Sequence, residues 1–446
     1  MSLRSRCACV AVSLGVAFPV LAAPQGDNVW IVDNSGAPAD FTELELAMEA
    51  AADGDVILVK PGNYGPFTML GKGVSVIGDG GGIVRVRGPL EIRDLPAGSK
   101  AVVRHLRTST AVLHGMNLEN CAGSVHLEDC NLNGQQTPTD DVFFGSEYHG
   151  IRIDQCADVR LSRCVFRGGD GNNVGFFGQP TSGADGMRAE SSSVAVANSE
   201  FYGGHGADAP WDDSYSGGWG GHGIGLWDTR LWIDGAFCQG GSGGTGDYDY
   251  DGLFGKKQCG DGGHGGDGVS IGSYPDVWTG ATAASDVRYR DLTGWGGSGG
   301  GTICSSPGDP GELLFQGGPE VHALSELAGP ARDVNASSPV RAGEVAQVSV
   351  EGSSGDFFLL LVGQTTPAVD LPNQPWPLAV AGSDLTVLIL GAVDASGALS
   401  AQFPVPLQAA GFGAGNVGVQ GVLLPAGEAE LQTAPVSVLT LVEQGL

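Results

Sequence analysis

Positive charge is scarce in this chain: 22 lysines and arginines stand against 50 aspartates and glutamates, a formal net charge of −28. A surface this acidic repels nucleic acid and anionic membranes. It also disfavours polyanionic sugars unless a local basic patch intervenes, and it makes divalent cations natural partners. Past the first residues no stretch is long and apolar enough for a membrane span. The nine cysteines include no CxxC pair and no Cys/His zinc spacing, so a structural zinc site is not expected.

The N-terminus reads as a secretory leader. Arg4 and Arg6 form a short basic region, Cys7 to Phe18 is apolar but short, and Val20-Leu21-Ala22 fits a small-x-small cleavage site. Residues 1–22 are therefore expected to be removed, leaving a soluble secreted or cell-surface protein. Cys121, Cys130, Cys156, Cys164, Cys238, Cys259 and Cys304 follow the leader. Export permits disulfides, and the odd count leaves at least one thiol unpaired.

What the chain has in abundance is glycine, at 76 residues, and repetition. HGMNLENCAGSVHLEDCNLNG at 114–134 aligns with HGIRIDQCADVRLSRCVFRGG at 149–169, DGMRAESSSVAVANSEFYGG at 185–204 and HGIGLWDTRLWIDGAFCQGG at 222–241. A split copy follows at 267–272 and 286–297. Each copy pairs a His or Asp with Gly, then two alternating strands separated by a polar turn. A period-two pattern repeated in fixed register specifies a β-solenoid, in which each coil covers the apolar face of its neighbour. The register predicts two inward stacks: Met116, Ile151, Met187, Ile224 and Val269, and Val125, Val159, Val194, Leu231 and Val287. Cys121 with Cys156, and Cys130 with Cys164, share columns at strand spacing. Inter-coil disulfides or buried free thiols both fit that spacing. Cys238–Cys259 is a separate candidate bridge.

Between copies the chain leaves the coil at one place, over 135–148, 170–184, 205–221 and 242–266. GGWGGHG, GGSGGTG, GGHGGDG and GGSGGG (starting at 217, 240, 262 and 296) have a three-residue period. Flexible linker is the plain reading of such composition. A period in register with the coil points instead to packed threefold glycine helices with the third residue on one edge. After 330 the glycine tracts stop, and short alternating strands from Val345 to Leu441 read as a small β-sandwich over 331–446.

Residues 40–64 suggest an Asp40-capped helix through Ala51, then a strand. With the strand at 74–78, this opening resembles that of pectinesterases and other members of the pectin lyase-like superfamily. The resemblance implies an all-β right-handed parallel β-helix over 23–330, with a short capping helix and glycine-rich side loops. It also brings an enzymatic alternative. Gly221-His222-Gly223 resembles a polygalacturonase motif, and Asp185 and Asp267 share its register. Polysaccharide lyases on this fold use acids with a basic residue, for which Arg152 and Arg188, beside Asp154 and Glu190, are the candidates. Glycoside hydrolysis needs two carboxyls flanking one bond, and no such pair is legible. The pectinesterase catalytic motifs are absent.

Two constellations remain. Asp247, Asp249 and Asp251 in DYDYDG are spaced as in a calcium loop, although Gln258 stands where a twelfth-position Glu would be. Trp211, Tyr215, Trp219, Tyr248 and Tyr250 suit sugar stacking or cover for the glycine tracts. The expected function is non-catalytic binding of an extracellular polysaccharide or cell-surface component through the loop face. The alternative is a polysaccharide lyase or a polygalacturonase-like hydrolase.

Overall fold

A computed structural model describes residues 28–444 apart from 80, 109–113, 136–147, 173–179, 210–214, 247, 251–256, 273–284, 303–305, 318–322, 370–373, 375, 406–412 and 429. The expected leader, Trp211, Asp247, Asp251 and Cys304 lie outside the described residues, as do the side chains of Tyr248, Asp249, Tyr250 and Cys259.

The body is a right-handed parallel β-helix with three faces. One face is an eight-stranded sheet running from Phe67–Leu70 through Met116–Glu119, Ile151–Asp154 and Met187–Glu190 to Ile224–Trp227, Val269–Ile271 and Leu314–Gln316. The other two merge into one fifteen-stranded sheet. They merge because the later strands, Ser193–Tyr202, Arg230–Gln239 and Asp286–Trp295, continue through the corner. Asn198, Gly235 and Asp291 make that corner with positive φ. In earlier coils Asp129 and Arg163 hold the same left-handed position and break the strand. Asn and Asp tolerate this region better than other side-chain-bearing residues.

Both inward stacks form in the anticipated register. Met116 pairs with Ile151, Ile151 with Met187, Met187 with Ile224 and Ile224 with Val269. Val125, Val159, Val194, Leu231 and Val287 pair likewise, and all ten side chains are fully buried. Truncating one of these to alanine costs about 2–5 kcal/mol.

Two expectations need correction. The capping helix spans only Leu44–Ala50, and Glu43 precedes it without a side-chain cap. Asp40 instead accepts the backbone N–H of Ile31 at 2.8 Å, and Phe41 bridges to Val32, so the chain is still strand-like where a cap was expected. Among the described residues the five cysteines are free and buried. The reason lies in their columns. Cys121 and Cys156 donate to the carbonyls of Glu119 and Asp154, and one and two coils later Ser192 and Thr229 donate to Glu190 and Trp227. Cys164 donates to Ser162 as Ser199 does to Ala197. The thiols hold a turn that hydroxyls hold elsewhere, and no cross-link is needed.

After Glu326 come two sheets, of three and five strands, built from Asp333–Ala336 to Gln432–Val442 and enclosing their own apolar core. They lie along the face that contains Val56 and Ser124–Glu128. Ala414 and Val442 pack on Val56, Leu58 and Ile77, and Trp376 packs on Ala195, Ala197 and Trp232. Glu128 accepts the N–H of Val438 at 2.7 Å and pairs with Arg104 at 3.1 Å and Arg163 at 3.2 Å. Arg104 also donates to the carbonyls of Val438 and Ala336. Buried charge of this kind is tolerable because each ion is both paired and hydrogen-bonded. One face of the β-helix is thereby covered, while the eight-stranded face stays open.

Candidate functional site

The glycine tracts are packed, and their hydrogen bonds repeat every third residue. Outgoing tracts 203–209, 239–246 and 295–302 form one layer, and returning tracts 215–222, 260–268 and 306–312 form a second. In the outgoing tract at 240, the first glycine of each triplet donates to the next outgoing tract: Gly240 to Trp295 and Gly243 to Ser298, at 3.0 and 2.8 Å. The second donates across to the returning layer, Gly241 to Gly221 and Gly244 to Gly218. The third N–H has no carbonyl left to meet and finds a side chain of the preceding tract. Ser242 donates to His205 Nδ1 at 3.0 Å and Thr245 to Asp208 at 2.7 Å. A Cβ on Gly243 would sit 1.9 Å from the Gly263 carbonyl oxygen. Nothing larger than glycine fits. In the last returning tract, Pro307 and Pro310 occupy the positions whose N–H would point outward, as Gly262 and Gly265 do one coil earlier.

The same rule accounts for the register of His and Asp that resembles a catalytic motif. His149 N–H donates to His114 Nδ1, Asp185 to His149 Nδ1, His222 to an Asp185 oxygen and Asp267 to His222 Nδ1, over 2.7–3.1 Å. Glu312 closes the column by donating to Asp267 at 2.9 Å. An Nδ1 that accepts a backbone proton carries a lone pair, so these imidazoles are neutral with the proton on Nε2. Close approaches such as His149 to Asp185 at 3.7 Å and His222 to Asp267 at 3.3 Å are therefore neighbours rather than ion pairs. Burial pushes the pKa of His149 well below the ordinary imidazole value and raises that of Asp185. Asp185 Oδ2 is buried with no hydrogen-bond partner among the described residues.

Arg152 and Arg188 are register partners on the open face, as expected, and their charges reach the His/Asp column, helping to hold the pKa of His114 and His149 down. Arg152 lies 3.5 Å from Asp154, and Arg188 stacks on Trp227 at 4.6 Å. Tyr215 is half-buried at the start of its returning tract. Asp249 lies in the hairpin strand Tyr248–Tyr250, opposite Gln258, where alternate residues sit ~7 Å apart.

Where the returning layer meets the open sheet there is a groove of about 730 Å³. Trp219, His264 and Asp309 line it from successive tracts, Ser270 and Phe315 from the sheet, and His222, Asp267 and Glu312 from the junction. Trp219 and Phe315 are 38% and 40% exposed, so both aromatic rings are accessible from the groove. Trp219 meets the His264 ring edge-on at 5.3 Å. The groove unites three residues singled out in the sequence, Trp219, His222 and Asp267. It adds Phe315, Asp309 and Glu312, which no repeat pattern marks out because the last coil's match to the repeat is weak. A second aromatic row, Tyr202, Phe237 and Trp295, runs along the outgoing side, tilted and then edge-on, with centroids 5.6 and 5.2 Å apart.

No family model matches the sequence, and no curated protein does. Solved structures similar in part include pectate lyase Pel9A, 13% identical, covering 63% of this chain and 78% of that one, with a TM-score of 0.26. ORF18 of Geobacillus virus E2 is 9% identical over 92% of this chain and 76% of its own, at 0.24. The receptor-binding domain of the Siphovirus 9NA tailspike is 10% identical over 85% and 99%, at 0.12. Scores this low add nothing on ligands or chemistry. The chain's own three-faced coil and strand register give it a right-handed parallel β-helix architecture.

Proposed function

We propose that this protein binds a polysaccharide of an extracellular or cell-surface matrix in the groove beside the glycine layers, and that it acts outside the cell without cleaving its ligand. The observation that carries this reading is the pair of exposed aromatic faces, Trp219 and Phe315, set among hydroxyl and carboxylate acceptors in one groove. A sugar offers the matching surface, an apolar C–H face rimmed by hydroxyl donors. Against catalysis stands the use already made of the groove's register: His222 and Asp267 accept backbone protons that hold the coils together. Among the described lining residues there is no lysine or arginine to serve as a lyase base.

The test is a polysaccharide panel scored for retention and for release of unsaturated or reducing ends. Retention that falls at least tenfold in Trp219→Ala and Phe315→Ala, with no product released, is the expected result. Released ends would establish the enzymatic alternative, and retention indifferent to both substitutions would reject the groove.

A further inference from the structure

Taking the groove as a glycan site, we infer that it selects polysaccharides bearing free, protonated amino groups over neutral and uronic ones. Among the described lining residues the charges are of one sign: Asp267, Asp309 and Glu312, with no lysine or arginine. Asp309 is the available carboxylate, its side chain 87% exposed. The His264 ring lies 3.6 Å away but does not neutralise it, because the same Nδ1 accepts the Asp309 N–H at 3.2 Å and so carries no proton there. Among the described residues no three His, Cys, Asp or Glu side chains are grouped to hold a metal ion. The acids are strung out, as suits charges distributed along a polymer.

Geometry adds to charge. Trp219, His264 and Asp309 occupy equivalent positions in consecutive tracts, since Gly220 donates to His264 and Gly265 to Asp309. Two inter-chain steps separate the indole from the carboxylate, ~10 Å, more than the length of one sugar ring. A ring stacked on Trp219 thus carries an amine of a following residue to Asp309. An ammonium near the indole face is itself attracted to the ring quadrupole. A uronic polymer meets repulsion at the same place.

The experiment compares equal-length glucosamine oligomers, N-acetylglucosamine oligomers and galacturonate oligomers on the full chain by calorimetry. The glucosamine oligomer should bind at least tenfold tighter than the acetylated one, and the galacturonate weakest. Asp309→Asn with Glu312→Gln should remove that preference, bringing the glucosamine oligomer's affinity down to that of the acetylated one. Since the whole protein is acidic, Glu326→Gln with Glu351→Gln, an equal charge change at exposed positions elsewhere, serves as control and should keep the preference. Equal affinity for the two glucosamine forms, or equal loss in both double variants, overturns amine selection. Trp219→Ala should weaken both forms. If it weakens neither, the groove reading itself fails, an outcome distinct from the loss of selectivity.

Discussion

Lowering the pH from about 7 to about 4.5 perturbs the hydrogen-bonded column at its base, because His114 must stay neutral to accept the N–H of His149. Burial, reinforced by Arg152 and Arg188, brings its pKa down from the usual 6.5 to about 4. The unfolded chain therefore takes up this proton first as pH falls. The contribution is complete above about 6.5 and is lost progressively toward 4. At about 1.4 kcal/mol per unit, this one imidazole accounts for about 3 kcal/mol across the window. His149 is displaced in the same direction, while Asp185, raised by burial, opposes it. The informative comparison is accordingly between parent and His114→Asn, whose amide oxygen accepts the same proton without titrating. Unfolding midpoints across the window should fall more steeply in the parent, by an amount equivalent to about 3 kcal/mol. NMR should show the ring titrating near 4. Parallel profiles, or a ring that titrates at its usual value, would refute the reasoning.

Three further outcomes are expected. Gly243→Val and Gly265→Val place a side chain within 1.9 and 2.1 Å of carbonyl oxygens and should make the tract layers protease-sensitive, whereas Ser242→Ala keeps its backbone bond to His205 and should not. Cys121→Ser and Cys156→Ser should each change stability by less than about 1.5 kcal/mol, since serine already fills that role at Ser192; peptide mapping without reductant should find all four stacked thiols alkylated after unfolding. We also propose that Asp247, Asp249 and Asp251 take up calcium. Saturation at a hundredfold excess over the dissociation constant should raise stability by ~2.7 kcal/mol, less so in Asp249→Asn, and identical midpoints in calcium and chelator would reject the site.

The coil was legible because its cause is local and repeated. Apolar residues at period two, aligned from 114 to 287, leave one packing solution, so both inward stacks could be named residue by residue. The glycine layers were legible through the same periodicity, since a linker has no reason to keep time with a coil. The role of the third residue was not. His205, Asp208 and His222 are selected by a backbone N–H one coil away, a partner that no local window contains. The catalytic-looking Gly-His-Gly has that origin. The late helix start was hidden because Asp40 is an equally good acceptor for a strand amide. The groove was half visible for a different reason. Its Trp219 wall sits in a clear repeat, whereas Phe315 and Asp309 belong to a final coil whose prolines and acids depart from the pattern.

Those prolines govern how the molecule behaves in company. A stack whose every layer offers donors to the next is a template for its own extension, and at high concentration a second molecule presents a matching layer. Pro307 and Pro310 withdraw the donors on the returning side, where the Trp219 groove lies. On the outgoing side Gly296 and Gly299 keep N–H groups that have no acceptor among the described residues. The last coil thus offers pairing donors on its outgoing tract and none at Pro307 and Pro310 on its returning one, an asymmetry that disfavours extension of both layers at once.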